Sequence, residues 1–385
     1  MVAMPRSLIV ISIDGLDFRY LRDADKLGLK IPTLRKLMQG GETTQGVVGA
    51  VPTITWPSHT TLITGVPPRV HGILGNRRSK NDTGDYYWMA DMLKVKTLWH
   101  ATRNAALKSA AITWPVTVNA DIDFNLPEYF RDRQGGSMDY NSVFEKATPG
   151  LMEKIEIFDP SFRQIWVDDR TRKVAVVYLL KHERPDLLLL HFVELDAVAH
   201  EHGPFSKEAN QEVENTDRYV GEILQAAPTD AAICLTSDHG FVRVDRELNI
   251  ETLAKQMDCQ GKLMLLGGLL ATTDADTAQK LRSSNRLGRE VPRAELLHFA
   301  PEVEQRKIVA AFEPKTNEGF AVGSNPELYL KPHEAGNHGF WPGTADYRSS
   351  LILFGPGIAA GITPEAPIES IAPRLASILG VNLER

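Results

Sequence analysis

Apolar and polar positions along the chain alternate between two kinds of stretch. Continuous runs rich in Leu, Ile and Val occur at residues 8–13 (LIVISI), 187–193 (LLLLHFV), 231–236 (AAICLT) and 351–354 (LILF), and predict strands buried on both faces. Shorter runs at 46–51 and 109–114 predict two more. Between them, apolar residues recur every three or four positions. Leu34, Leu37 and Met38 predict a helix over 32–38 stopped by Gly40-Gly41, and Val213, Val220, Ile223 and Leu224 predict another over 206–226. Further helices are expected around 89–106 and 371–379. Strands alternating with helices imply an α/β fold with a large, mostly parallel central sheet flanked by helices. From about 243 to 331 the pattern changes to short apolar runs between charged helical stretches. This predicts an inserted mixed α+β lobe in a core formed by residues 1–242 and 332–385. Residues 81–87 (NDTGDYY) read as a polar, turn-rich loop, and 115–136 as a long irregular stretch of the kind that is usually functional.

Composition narrows the class of function. With 385 residues, 43% hydrophobic and 24% charged, the chain can build a large core, and disorder is not expected. Its formal charge of −6 argues against a dedicated nucleic-acid backbone binder. The densest basic patch, residues 76–80 (NRRSK), reads as a solvated loop. Cys234 and Cys259 stand in unrelated contexts and suggest neither a disulfide framework nor a Cys-rich metal site. The opening MVAMPRS leads straight into a strand and is too short for a membrane span. A cytoplasmic protein is the expectation for the sequence as written, or a periplasmic one if an export signal has been removed.

The chemistry gathers at strand ends. Asp14 follows the first run, Asp196 the run at 187–193, and Asp238-His239-Gly240 the run at 231–236. A parallel sheet would bring these ends to one edge, where such sheets hold ligands. Asp196 and His200 are spaced i, i+4, so one helical face can present both to a cation. Gly240, Gly336 and Gly339 let the backbone turn closely beside His239 and His338. Thr55 lies in residues 52–76 (PTITWPSHTTLITGVPPRVHGILGN), in the turn before a short helix expected to open with Pro57 and close at Gly65. A hydroxyl at the positive end of a helix is a candidate nucleophile. A lone Thr there is normally a cap, and a lone Asp-x-x-x-His normally a surface pair. The set as a whole has no such ordinary explanation: six N/O ligands and a threonine oxygen make two sites of three or four ligands. That donor set suits two zinc ions, with manganese as a substitute, and a metal pair about 4 Å apart clamps both oxygens of an in-line displacement at phosphorus.

In order, Ile-Asp14-Gly, Pro-Thr-x-Thr55-x-Pro-x-His, Thr64-Gly-x-x-Pro-x-x-His-Gly-Ile, Asn76, Asp196-x-x-x-His200, Ser-Asp238-His239-Gly and Asn-His338-Gly resemble the nucleotide pyrophosphatase/phosphodiesterase family of the alkaline phosphatase superfamily. The resemblance spans residues 8 to 356 and implies an alkaline phosphatase-like core. It implies one zinc held by Asp196, His200 and His338, and another by Asp14, Asp238, His239 and Thr55. Thr55 would attack phosphorus and form a phosphothreonine ester, while Asn76 and the Thr55 N–H would hold a non-bridging oxygen. Trp56 takes the aromatic position beside the leaving group or nucleobase, and Trp114-Pro115 with Pro127-x-Tyr129 resembles a stretch near that pocket, making Tyr129 a substrate-binding candidate. The partner implied is a small phosphoester, with no dedicated nucleic-acid or membrane partner and a homodimer left open.

Among the other histidines, His59 and His71 are expected to lock turns, His191 to be a satisfied core residue, and His202 to support His200. Phosphonoacetate hydrolases are a close alternative, but their carboxylate-binding lysines have no evident counterpart between Lys108 and Lys146. A promiscuous phosphoester, phosphonate and sulfate ester hydrolase is another. Sulfatases need a convertible Cys or Ser where this chain has Thr55. Phosphoglycerate mutase-like manganese isomerases use Ser and a dedicated insertion, and a metal-stabilised binding module would lack some member of the set.

Overall fold

The computed structural model describes residues 5–78, 85–130 and 138–384. The end of the basic patch (79–80), residues 81–84 of the turn-rich loop and residues 131–136 of the long irregular stretch lie outside the described residues. The sheet strands are β1 (Ser7–Ile13), β2 (Glu42–Thr44), β3 (Ser109–Ile112), β4 (Phe124–Leu126), β5 (Leu187–Phe192), β6 (Ala231–Thr236), β7 (Leu351–Phe354) and β8 (Gly361–Thr363). They are ordered β8-β2-β7-β6-β1-β5-β3-β4. β1 pairs in parallel with both β5 and β6, and β3 in parallel with β5 and β4. Only β7 among these strands runs antiparallel to its neighbours, β6 and β2. The expected mostly parallel sheet is therefore the architecture observed.

The unbroken apolar runs follow from burial on both faces. Ile9, Ile11 and Ile13 of β1 belong to one cluster with Leu34 and Leu37 of helix α1 (Pro32–Gly40) and Val213, Val220 and Ile223 of a helix over Lys207–Ala226. Leu8 and Val10 face the other side, with Leu62 and Ile63 of α2 (Thr55–Thr64) and Ile371 and Leu375 of the helix over Ile371–Leu379. Residues 243–331 form two three-stranded sheets, one of Leu263–Leu266, Leu269–Thr272 and Ala310–Phe312, the other of Glu318–Ala321, Arg246–Asn249 and Tyr329–Leu330. Apolar clusters around Leu266, Leu269 and Leu296, and around Leu248, Leu253 and Leu281, accompany them.

Two expected elements come out shorter. The strand at 46–51 shrinks to Val47–Val48, because Gly46 has φ 108° and Pro52 has no N–H to donate to a ladder. The helix at 89–106 is a 3-10 turn, Ala90–Met92, and a separate helix, Leu98–Asn104. The restart lies at Thr97, whose backbone N–H donates to His100 Nδ1 at 3.2 Å. Within the long irregular stretch, β4 pairs with β3.

One cap is shared between helices. α1 opens with Pro32, and its free N–H groups at Thr33 and Leu34 donate to Asp217 on the Lys207–Ala226 helix at 3.2 and 2.7 Å. Asp217 is 2% exposed, so water cannot replace it. Asp217→Ala should cost about 1–3 kcal/mol in urea unfolding, the penalty for leaving buried N–H groups unmet.

Candidate active site

β1 ends at Ile13, and Asp14 follows with its N–H bonded to Phe192 O of β5 at 2.9 Å. Gly15, with φ 69°, then turns the chain beside Phe241, whose ring would lie 2.9 Å from any added Cβ. The Gly15 N–H donates to Asp238 Oδ1 at 3.2 Å, which ties the end of β1 to the end of β6. After β5, helix α3 (Glu194–His202) places Asp196 and His200 one turn apart, with His200 Nε2 3.5 Å from Asp196 Oδ2. His338 follows the short strand Gly336–Asn337, which pairs antiparallel with Val242–Arg243 just beyond Asp238-His239.

The six expected ligands form two groups. Asp14, Asp238 and His239 bring ligand atoms within 4.8 Å of one another, and so do Asp196, His200 and His338. The groups adjoin, since His239 Nε2 lies 3.2 Å from Asp14 Oδ1 and 4.0 Å from Asp196 Oδ1, and the His239 and His338 rings stack at 3.7 Å. Asp14 Oδ1, Asp238 Oδ2, His239 Nε2 and Asp196 Oδ1 are buried without a hydrogen-bond partner. Buried polar atoms are almost always satisfied, so orphans concentrated here fit a pair of cations.

Electrostatics bear this out. Burial and the charge of Asp14 push Asp238 well above the usual carboxylate range. Burial also disfavours ionised Asp14, but the hydrogen bond from His191 and the proximity of His239 outweigh it and hold that carboxyl well below the usual range. Burial pulls His338 well down, helped by His239 and His200, which keeps a lone pair free for a metal. His200 is pulled down by burial and pushed further up by Asp196 and Glu334, to about 10.

Thr55 stands at the first position of α2, not in the turn before it, with Ile54 as cap and Pro57 two residues into the helix. The helix closes at Gly65 in the left-handed conformation, as expected. All of α2 is buried, and its threonines are accommodated because Thr60, Thr61 and Thr64 each donate to the carbonyl four residues back. The segment before it is pinned to the His338 turn, with Gly339 N–H to Thr53 O at 3.1 Å and Thr53 Oγ1 to Phe340 O at 2.6 Å. His59 Nδ1 donates to Thr55 O and its Nε2 bonds Ser12 Oγ, both at 2.9 Å, while His71 bonds Thr61 Oγ1 and accepts the Ile73 N–H. Both lock turns. Asn76 Oδ1 takes the Trp56 N–H at 3.0 Å, which leaves its amide NH2 as the donor for an anion beside Thr55.

Trp56 is 5% exposed and lies under Tyr86 and Trp88, with ring centroids 4.9 and 5.9 Å away. It supports those rings from below. The cavity beyond, about 300 Å³, is lined by Arg77, Tyr86, Trp88, Tyr129, Phe130 and Lys146 among others. Tyr129 thus sits in a pocket wall, with Lys146 Nζ 5.4 Å from its ring. Sequence patterns hid Tyr86 in a stretch read as a polar loop and Trp88 just beyond its end; their aromatic density was the available signal. His202 does not support His200: it is 40% exposed and lies 3.7 Å from Glu201. Glu334 and Gly336 O take that role, 2.7 and 3.1 Å from His200 Nδ1. His191 is fully buried and contacts Asp14 directly, a link that its place inside an apolar run concealed.

The chain matches the family described as type I phosphodiesterase / nucleotide pyrophosphatase over residues 8–334. It is 23% identical to ectonucleotide pyrophosphatase/phosphodiesterase family member 1 of Homo sapiens, over 92% of this chain and 38% of that protein. It is 25% identical to a venom phosphodiesterase of Macrovipera lebetinus, over 62% of this chain and 26% of the relative. The chain therefore spans well under half the length of these curated relatives. Among solved structures, murine ectonucleotide pyrophosphatase / phosphodiesterase 5 superposes with TM-score 0.65 at 18% identity, covering 98% of this chain and 96% of that one. An inactive variant of the murine protein in complex with AMP gives TM-score 0.65 at 17% identity, covering 99% and 96%. These structures share the fold.

A third group, Asp169, Glu194 and Glu212, also converges. It needs no cation, because Arg172 Nη1 meets Asp169 Oδ1 at 2.7 Å, and Asp169 also accepts the Val193 and Glu194 N–H groups that start α3. Glu212 is left with one buried oxygen unpartnered, and burial, with the charge of Asp169, pushes its pKa up from 4.5 to about 7. The folded state then holds this proton more tightly than the unfolded chain, so stability falls as pH rises from 4.5 to about 7. Glu212→Gln should leave the melting temperature unchanged near pH 4.5 and raise it above pH 7. An equal shift at both pH values would exclude this cause.

Proposed function

Because the chain belongs to the type I phosphodiesterase / nucleotide pyrophosphatase family, we propose that it is a metal-dependent hydrolase of phosphodiester or phosphoanhydride bonds, working through a covalent phosphothreonine. One observation carries the reading: two adjoining three-residue groups with orphaned buried atoms, beside a His338 turn to which the segment leading to Thr55 is hydrogen-bonded. Asp14, Asp238 and His239 with Thr55 would hold one zinc, and Asp196, His200 and His338 the other. Bound there, divalent zinc supplies a lowered hydroxyl pKa and Lewis-acid stabilisation of oxygens at phosphorus.

The chain's own groups do the rest. Thr55 Oγ1 attacks phosphorus and the leaving oxygen departs on the opposite side; water then cleaves the threonyl ester and regenerates the hydroxyl. The N-terminus of α2 offers positive partial charge to the phosphoryl group. The Asn76 amide, fixed by the Trp56 N–H, donates to a non-bridging oxygen where charge is held in the transition state. The wall of Tyr86, Trp88, Tyr129 and Phe130 suits the planar organic group of a diester such as a nucleotide, by stacking. The AMP bound to the murine relative's variant is consistent with that choice. A monoester has a further negative charge to neutralise, and Arg77, the nearest candidate, lies 4.4 Å over the Tyr86 ring.

Thr55→Ala should retain divalent metal on the remaining ligands and lose turnover of a bis(nitrophenyl) phosphate by roughly three orders of magnitude or more. Undiminished turnover would remove Thr55 as nucleophile. Parallel assays with nitrophenyl phosphate and phosphonoacetate should give lower kcat/KM, and a preference for phosphonoacetate would reverse the assignment. Chelation should abolish the diesterase activity and added zinc restore it, which a metal-stabilised binding module would not show.

A further inference from the structure

β5 carries His191 opposite Ser12 in the parallel register with β1, two positions before Asp14. The imidazole is fully buried and both of its nitrogens are engaged. Nε2 lies 3.0 Å from Asp14 Oδ2, while Nδ1 lies 3.1 Å from Glu128 Oε2 and 3.1 Å from Thr113 O. Each of these partners is an oxygen acceptor, so both ring nitrogens donate. The backbone of His191 is held as well, since Thr113 Oγ1 donates to His191 O at 2.8 Å and itself receives Arg172 Nε at 3.0 Å. Arg172 is in turn held by Asp169.

Two consequences follow from the atoms involved. With Oδ2 of Asp14 taken by His191, the oxygen left for a cation is Oδ1, the one that is buried, unpartnered and 3.2 Å from His239 Nε2. Glu128, 4% exposed, is also the residue immediately before Tyr129 and Phe130, both of which line the aromatic cavity. The hydrogen bond that orients His191 therefore also anchors that wall.

We propose that Glu128, His191 and Asp14 form a hydrogen-bonded strap that restricts Asp14 to one metal-facing oxygen and fixes the aromatic pocket wall relative to the metal centre. His191 and Glu128 are positioning residues here: neither is a metal ligand. The proposal rests on the reading of Asp14 as a ligand given above. Outer partners of this kind commonly change metal affinity by 10- to 100-fold when removed.

The test combines metal binding with kinetics. Zinc affinity is measured by competition with a chromophoric chelator, and ligand geometry by the visible spectrum of the cobalt-substituted protein. His191→Leu should weaken one of the two bound ions by about 10- to 100-fold and alter the cobalt spectrum. His191→Gln, which can still donate to Asp14, should recover most of that affinity. Glu128→Ala should weaken the same ion and also raise KM for the bis(nitrophenyl) ester, whereas Tyr129→Ala should raise KM and leave metal affinity unchanged. Parental affinity and spectrum in His191→Leu would overturn the strap. If that variant does not fold, Glu128→Ala decides by the same measurements, and unchanged metal affinity there would overturn it equally. A parent protein that binds no stoichiometric divalent metal would defeat the proposed function itself. A parent that binds metal and hydrolyses the diester while the variants bind normally would defeat only the strap.

Discussion

Three carboxylates and three imidazoles are confined at one edge of a parallel sheet, and much of the fold exists to make that concentration of charge tolerable. Asp14, Asp238 and Asp196 each lie within 4.0 Å of His239 Nε2. Like charges about 4 Å apart repel by roughly 4 kcal/mol even at an effective dielectric near 20. The Asp14 and Asp238 shifts run in opposite directions: two histidines hold one carboxyl ionised, while burial first and the charge of Asp14 second drive its neighbour toward the neutral form. A cation bound there would relieve the conflict, and it would meet atoms of Asp14, Asp238 and His239 that are buried without a partner.

Rigidity around this edge comes from polar contacts that are themselves buried. Asp17 takes the Phe241 N–H and the Arg19 guanidinium, and Ser237 donates to His239 O, so the turns after β1 and β6 are braced from behind. Asp169 fixes the start of α3 and thereby the helical face that carries Asp196 and His200. Such networks specify geometry more than they add stability, since burying each charge has a desolvation cost close to its gain.

The layout of the sheet was legible because a strand buried on both faces must be apolar throughout, and the runs at β1, β5, β6 and β7 have few competing readings. The three acids of the candidate site were legible for a related reason: an acid ending such a run has nowhere to go but the sheet's edge. Other features carried no such mark. His191 sits inside LLLLHFV, where a single imidazole looks like core filling, and nothing local shows that Asp14 lies one strand away. Glu128 is one acid in a loop, and its role depends on a partner 63 positions along the chain. The helix expected over 89–106 was overextended because periodicity continues across Thr97, where a side chain and not the apolar pattern sets the boundary. His202 was paired with His200 by sequence proximity, but on a helix, residues two apart point in different directions.

The lobe formed by residues 243–331 is also part of the site's architecture. It leaves the core through Val242–Arg243, just after His239, and returns through Gly336–Asn337, just before His338, and these two short strands pair with each other. Gly336 and Gly339 are needed there. A Cβ on Gly336 would lie 2.5 Å from Ala199 O of α3, and Gly339 has φ 82° while its N–H reaches Thr53 O. The turn that presents His338 is thus wedged between the helix bearing its fellow ligands and the segment leading to Thr55. Tyr347 closes the arrangement, its hydroxyl within hydrogen-bonding distance of both the Gly339 N–H and Thr53 Oγ1. A displacement of the lobe's stem would move His338 and the approach to Thr55 together, so the geometry of ligand and nucleophile is set by one shared constraint.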